Sequence, residues 1–394
     1  MATRSAVRRR KRSEERPAGS LELFATTSAG LEGALVRELE RIGASRVEPG
    51  ARGAAFVGDM ALVYRANLWL RTAHRVLARI AKFDARDRVS LYDGVRAIAW
   101  DAHMTPEMTL AVDAVSNRSA LSHTQFVSRV VKDAVVDQFR DACGRRPSVD
   151  PKTPDLLLNA RLVDDVCTLS WDTSGERLHR RGYRMTAGAE APLKETLAAG
   201  VLLLCGYDGS APLVDPMCGS GTLLVEAALI AKNQAPGLLG RRFGLERHPS
   251  FDRLLWNGLR ADARAAIREP DGVPIRGSDV SERAIREAAA AIRGAGVDDV
   301  VALKCAPLAE LPPQSAPGFL VTNPPYGERL GDLEHLGPLY AQLGDLLKRR
   351  CSGMTAHVLT GSKLLAGKIG LHPKRRDALW NGALECRLLH FELY

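Results

Sequence analysis

From about residue 180 to its end this chain alternates helices, short apolar strands and glycine-rich turns, and that alternation restricts the fold more than any other feature. Ala191–Leu204 has the pattern of a helix, and Pro212-Leu-Val-Asp215 that of a short buried strand. Strands that alternate with helices pair in parallel, because each crossover returns the chain to the same end of the sheet. The expected architecture is α/β, a doubly wound parallel sheet. Its last two strands are expected at Ala356–Thr360 and Arg387–Leu393.

The first half reads differently. Leu21–Ala25, Gly53–Gly58, Thr109–Val115, Asp155–Leu162 and Val166–Asp172 have strand patterns. Leu31, Leu35, Leu39 and Ile42 recur at helical spacing after Thr27-Ser-Ala-Gly30, and Gly43 closes that helix. Residues 60–80 alternate apolar and basic side chains at helical spacing. Ser122–Cys143 predicts a long helix with Phe126, Val130, Ala134 and Phe139 facing inward. Residues 21–175 are therefore expected to be a mixed α+β region without a nucleotide motif.

The 394 residues suffice for two to three domains. No run of 18 apolar residues occurs, and no apolar core follows the basic N-terminus, so neither a membrane span nor a secretory leader is expected. The seven cysteines are odd in number, widely spaced and lack C-x-x-C, which argues against a disulfide framework and a zinc site and points to the cytoplasm. The net charge of +9 leans toward nucleic acid. Part of it sits in residues 1–19, where seven Arg and Lys face two Glu; this is either a disordered hook for nucleic acid or a solvated tail.

Chemistry concentrates at three strand tips. In Leu213-Val-Asp-Pro-Met-Cys-Gly-Ser-Gly-Thr222 a strand ends at Asp215, and Gly219 and Gly221 let the backbone approach a ligand before a helix begins. The third glycine of the dinucleotide fingerprint is replaced by Leu224, which counts against nicotinamide and flavin cofactors. Asp215 would repel a pyrophosphate and suits a ligand with an amino group, such as S-adenosylmethionine. A second strand, Val273–Asp279, ends in an acid where ribose hydroxyls are gripped, and Asp279 could also cap the following helix. The long spacing between these tips makes residues 232–271 an insertion. Its Arg241, Arg242 and Arg247 are either RNA-facing or a solvated basic face.

The third tip reads Gly318-Phe-Leu-Val-Thr-Asn-Pro-Pro-Tyr326. The exocyclic amine of a nucleobase is a poor nucleophile because its lone pair is spread into the ring. The Asn323 side-chain oxygen and the Pro324 carbonyl can accept its protons. Pro324 and Pro325 fix the backbone so that these acceptors converge. Tyr326 offers a face on which a flipped base can stack. This chemistry calls for no metal.

Together with His179-Arg-Arg-Gly-Tyr-Arg184, Ala191-Pro-Leu-Lys-Glu-Thr-Leu-Ala-Ala199 and NPPYGERL, these segments resemble the THUMP-domain RNA guanine-N2 methyltransferases, the RlmL-type enzymes of bacterial large-subunit rRNA. Phe24–Glu32 and the stretch around Val149-Asp-Pro and Pro154-Asp155 fit the N-terminal half of that family. The resemblance implies a seven-stranded, Rossmann-like class I methyltransferase domain over 176–394, preceded over 20–175 by a ferredoxin-like piece and a THUMP RNA-binding fold. It implies S-adenosylmethionine as methyl donor, held by Asp215, Gly219, Gly221 and Asp279, with Lys194, Glu195 and Thr196 near its methionine end. Asn323, Pro324, Pro325 and Tyr326 would hold the target amine. The implied partner is RNA, foremost large-subunit rRNA, with no membrane. Arg181, Arg184 and Arg329 have three candidate partners: RNA, cofactor or neighbouring carboxylates.

The sequence departs from the family at Ala306 and Pro307, where an acid usually reads the adenine; backbone groups or Glu310 would then do so. Some relatives carry a second C-terminal methyltransferase domain, and with the sequence ending at Tyr394 that second activity is not expected. The competing readings are tRNA guanine-N2 methylation, DNA adenine-N6 methylation, and a non-catalytic RNA assembly factor. The THUMP-like half speaks against DNA.

Overall fold

The computed structural model describes residues 19–184, 193–270, 272, 274–314, 317–327 and 330–394, with backbone only for 330–334. The basic tail up to residue 18, Ala191 and Pro192 of the expected helix, and Glu328 and Arg329 of NPPYGERL lie outside the described residues.

The first half builds one mixed sheet. Its strands are β1 (Leu21–Thr26), β2 (Ser45–Gly50), β3 (Gly53–Gly58), β4 (Arg75–Asp84), β5 (Thr109–Asn117), β6 (Ser148–Val149), β7 (Leu156–Val163) and β8 (Val166–Asp172). They lie in the order β2-β3-β1-β4-β8-β7-β5-β6. Strand β4 pairs with β1 on one side and β8 on the other, so the ferredoxin-like and THUMP parts share a continuous hydrogen-bonded sheet. Helices α1 (Glu32–Arg41), α2 (Met60–Trp69), α3 (Arg88–Arg96) and α4 (Thr124–Cys143) pack into one core with inward residues of this sheet, among them Leu35, Leu68, Leu91 and Val131.

Two expectations are corrected here. The helical spacing over 60–80 ends at Trp69, and Arg75–Asp84 is a strand. Arg71, Arg75 and Arg79 repeat every four residues and so mimic a helix, yet Val76 and Ala78 are buried and β4 is central in the sheet. Of the inward residues expected on α4, Val130, Ala134 and Phe139 are buried, but Phe126 is 37% exposed and Val127 and Val131 take its side of the helix inward. Strand β2 and helix α3 give little signal in sequence, because β2 is almost wholly exposed and α3 buries only Leu91 and Val95.

The second half is the doubly wound sheet. Its helices are α5 (Glu195–Leu204), α6 (Thr222–Ala231), α7 (Arg253–Ala265), α8 (Glu282–Ala295), α9 (Leu330–Arg350) and α10 (Lys363–Lys368). Its seven strands are β9 (Leu213–Asp215), β10 (Ile275–Asp279), β11 (Val301–Cys305), β12 (Phe319–Thr322), β13 (Thr355–Thr360), β14 (Arg375–Asn381) and β15 (Leu384–Glu392), in the order β11-β10-β9-β12-β13-β15-β14. Pairing is parallel through β13, and β15 runs antiparallel to both of its neighbours.

The halves are locked together. Leu31 of the first half is buried in the core of the second, so close to Gly200 that a Cβ there would lie 2.5 Å from Leu31 Cδ1. The insertion serves the same lock. Trp256 of α7 packs edge-on to Tyr64 at 5.6 Å, and the Asp252 N–H donates to the Tyr64 hydroxyl. Arg241 donates to the carbonyls of Arg177 and Ser174 and lies over the Phe243 ring. Arg247 donates to the carbonyls of Thr153 and Pro154. Arg241 is not the solvated arginine expected; it and Arg247 both tie loops together, Arg242 and Arg247 are exposed, and Arg242 makes no such bond among the described residues. Among the described residues no helix is long and apolar enough to cross a membrane.

Candidate active site

The strand order changes direction between β9 and β12: β10 and β11 extend one side of β9, β12 and β13 the other. In open α/β sheets the crevice at the carboxyl ends of such strands holds the ligand. Asp215 ends β9, and Asn323 follows the last residue of β12. The register pairs Leu320 with Val214, so these two tips are neighbours. Between them opens a cavity of about 360 Å³, lined by Asp215, Gly219, Thr222, Ser281, Glu287 and Asn323, among others.

Asp215 is 1% exposed. Burial pushes its carboxyl up to about 7, against the pull of the Thr322 hydroxyl and the Met217 amide, with the Asp279 charge adding to the rise. A cation in the cavity would restore its ionised form. Gly219 has φ +51°, and a Cβ there would meet nothing within 4 Å, so this backbone is open to a ligand. Gly221 has a further constraint: a Cβ there would lie 2.9 Å from the Ala288 Cβ, so it also lets α6 pack on α8. Asp279 braces the turn from behind, accepting the Gly219 N–H at 2.9 Å and the Ser281 N–H at 2.9 Å. The α8 cap is Ser281, whose hydroxyl accepts the Ala284 N–H.

The Asn323 Oδ1 is buried and has no hydrogen-bond partner among the described residues. A lone acceptor of this kind costs about 1–3 kcal/mol, a cost that a donor placed in the cavity would relieve. Pro324 behind it is buried and Pro325 is exposed. The Tyr326 ring packs beside Gly361, and its hydroxyl accepts from Asn381 Nδ2 at 3.2 Å.

The three helix-start residues lie just behind the cavity lining, each with its own partners. Lys194 lines a separate basic cleft of about 750 Å³ with Arg75, Lys152, Arg180 and Arg242, while its neighbour Leu193 lines the catalytic cavity. Thr196 is fully buried, with Oγ1 3.1 Å from His74 Nδ1. Glu195 pairs with Arg184 at 3.4 Å, and Arg184 in turn bonds the Thr222 hydroxyl on the cavity wall. Arg181 pairs with the buried Glu226 at 3.4 Å. Both arginines thus have carboxylate partners. Glu310 pairs with Lys304 on the surface, and Ala306 donates its N–H to the Asp279 carbonyl.

Sequence reading missed Glu287 and Arg283, which enter the cavity wall because α8 starts directly behind the second strand tip. Cys205, His357 and His390 bring potential metal ligands within 4.8 Å of one another from distant positions, which spacing could not show. His357 and His390 bond each other through Nδ1, and His390 Nε2 bonds Asp377.

A seven-stranded doubly wound sheet with this cavity at its switch point, preceded by a ferredoxin-like and a THUMP region, defines a Rossmann-like methyltransferase fold. The chain belongs to the RMKL-like methyltransferase family, whose domain matches residues 181–390; an RlmL ferredoxin-like domain matches 22–77 and a THUMP domain 85–172. It is 42% identical over 371 residues to a Synechocystis protein named as an RNA methyltransferase, covering 94% of this chain and 96% of that one. It is 44% identical over 380 residues to the ribosomal RNA large subunit methyltransferase K/L of Methylococcus capsulatus, covering 94% of this chain but 51% of that protein. The chain therefore spans about half the length of the K/L relatives. The crystal structure of SMU.472 complexed with SAH superposes with a TM-score of 0.87 at 31% identity, covering 96% of this chain and 99% of that one.

Proposed function

We propose that this protein transfers a methyl group from S-adenosylmethionine to the exocyclic N2 of a guanine in large-subunit rRNA. The observation that carries the proposal is the buried, unpartnered Asn323 Oδ1 on the same cavity wall as Asp215 and Gly219. It is an acceptor waiting for an amine proton.

The cavity residues fit the donor. Asp215 takes the amino group of its methionine end and Gly219 admits its backbone-side atoms. Asp279, outside the lining, fixes the turn through the Gly219 and Ser281 amides and accepts from the ribose beside it. When bound, S-adenosylmethionine supplies a methyl group on a positive sulfur. The chain does the rest by positioning. Asn323 Oδ1 and the Pro324 carbonyl accept hydrogen bonds from the two N2–H groups and turn the nitrogen lone pair toward the donor. As the N–C bond forms the S–C bond breaks, S-adenosylhomocysteine leaves, and one N2 proton passes to solvent. The two prolines hold these acceptors with little entropy left to lose. Tyr326 supports the flipped base. Residues 20–175 act as the RNA-binding half and 176–394 as the catalytic half, with 232–271 as the insertion between them in space. The basic cleft at Lys194 leads RNA to the cavity, since Leu193 and Lys194 line one each.

The test offers methyl-labelled S-adenosylmethionine with protein-free large-subunit rRNA, tRNA and duplex DNA in separate reactions, followed by nucleoside mass analysis. N2-methylguanosine from rRNA alone is the expected result. Label in tRNA or DNA overturns the substrate, and S-adenosylmethionine that fails to bind in calorimetry favours a non-catalytic assembly factor.

A further inference from the structure

A second cavity, of about 590 Å³, opens at the opposite end of α6 from the catalytic one. Thr222 begins α6 at the catalytic wall, and Ile230 near its end lines the second cavity, roughly 12 Å further along at the helical rise. Its wall carries Arg37, Arg41, Arg65, Arg71, Arg268 and the half-buried Trp69.

The two carboxylates on that wall are already committed. Glu38 accepts from the Arg71 and Thr72 amides and from the Thr72 hydroxyl, and burial holds its pKa up. Asp208 accepts from the Ser210 amide and hydroxyl. Of the cations, Arg71 faces Glu38 and Glu226, and Arg268 bonds the Ala231 and Asp208 carbonyls, but the other three are not balanced. Arg37, Arg41 and Arg65 make no hydrogen bond or ion pair with the described residues, and Arg65 Nε is buried without a partner. Arg71 is 8% exposed; its Nη2 bonds the Leu229 and Gln234 carbonyls, while its Nη1 is buried with no partner. The Tyr207 hydroxyl on the same wall is likewise unpartnered. Arg37 and Arg41 stand one turn apart on α1, a like-charge arrangement that destabilises a helix unless an anion lies between.

Surplus guanidinium forks around a concave space match a ligand with several oxygens and more than one negative charge. We propose that this cavity binds a phosphate group, carried either by the backbone of a bound RNA or by a free nucleotide. The proposal does not depend on the methyl-transfer reading, because no residue of the catalytic cavity takes part.

The test titrates the full chain with inorganic pyrophosphate and, separately, with a short single-stranded RNA over a range of salt. The Arg37→Ser/Arg41→Ser double variant and Arg65→Ser are compared with the unaltered chain; Arg37 and Arg41 are exposed and Arg65 half-buried, so all three should keep the fold. If free phosphate is the ligand, pyrophosphate binds and loses at least tenfold in affinity in both variants. If RNA is the source, RNA affinity falls and the double variant flattens the salt slope by about 1.4, the value for two lost phosphate contacts. S-adenosylmethionine binding, measured in parallel, should be unchanged. Pyrophosphate that does not bind, together with RNA affinity and slope unaltered in both variants, overturns the proposal.

Discussion

Leu224 and Gly277 occupy one space between them: a Cβ on Gly277 would lie 2.2 Å from Leu224 Cδ1. In the dinucleotide fingerprint the third glycine, on the helix, gives the close approach of helix to strand. Here the small partner has moved to the strand and the large one to the helix. The close approach is kept while the motif disappears, so Leu224, which counted against a dinucleotide, is also a packing device.

Gly277→Ala should therefore destabilise the protein. The added methyl also meets Leu303 at 3.1 Å and Cys218 at 3.3 Å, so it has no open direction. Overpacking of this kind costs about 1–3 kcal/mol, more than the roughly 0.4–1 kcal/mol that Gly→Ala returns by restricting the unfolded chain. Denaturant midpoints measure the difference. Leu224→Ala placed on top of Gly277→Ala should recover part of the loss, and an unaltered midpoint in the single variant would refute the packing.

Asn323→Ala should separate activity from stability. It removes the acceptor that turns the amine, so methyl transfer should fall by about a hundredfold or more. It also removes a buried, unpartnered oxygen, so the melting temperature should hold or rise. Calorimetry should show S-adenosylmethionine affinity nearly unchanged. Near-normal turnover would remove Asn323 from the chemistry.

The strand tips were legible because their chemistry is local. Asp215, Gly219 and Asn323 each follow a short apolar strand, and parallel pairing brings such tips together. What sequence could not show was where long side chains end. Lys194 and Thr196 belong to the helix start that resembles the family, yet Thr196 bonds His74 of the first half and Lys194 lines a cleft shared with Arg75 and Lys152. Arg241 and Arg247 read as surface charge, since nothing local reveals the carbonyls from residues 153–177 that receive them. Strand β4 was hidden by arginines at a helical interval, whose partners Asp172 and Glu22 lie far off in sequence.

Arg181 and Glu226 are 2% and 0% exposed at the junction of the two halves. Arg181 also donates to the Arg71 carbonyl of the first half and to the Leu178 carbonyl. Removing one member leaves the other charge buried, at a cost of about 3–5 kcal/mol. Glu226→Ala should lower the unfolding free energy by that order. The double variant Arg181→Met/Glu226→Leu should lose less than Glu226→Ala alone. Additive losses would mean the two side chains do not act as a pair.

Asp279→Ala should weaken S-adenosylmethionine binding at least tenfold. Its carboxylate holds the Gly219 amide, so its loss frees the turn as well as any ribose contact. Titration calorimetry reads the effect, and unaltered affinity would leave Asp279 as a brace without consequence for the ligand.

Asp215 should make both stability and cofactor binding depend on pH, in opposite directions. Its folded-state pKa, about 7, lies above the ordinary 3.8 because burial disfavours the charge. A raised carboxyl pKa contributes stability that is full below the unfolded value and is lost as pH rises through the folded one. The protein alone should thus weaken between pH 4 and pH 7, by about 1.4 kcal/mol per unit at most. A cationic amino group in the cavity favours the ionised form, so S-adenosylmethionine affinity should climb over the same range, by up to about tenfold per unit, and level off above pH 7. Asp215→Asn has no proton to lose. It should flatten both profiles, stabilise the protein alone at neutral pH and bind S-adenosylmethionine weakly throughout. If the unaltered protein binds S-adenosylmethionine equally well at pH 5.5 and pH 7, Asp215 does not receive the amino group.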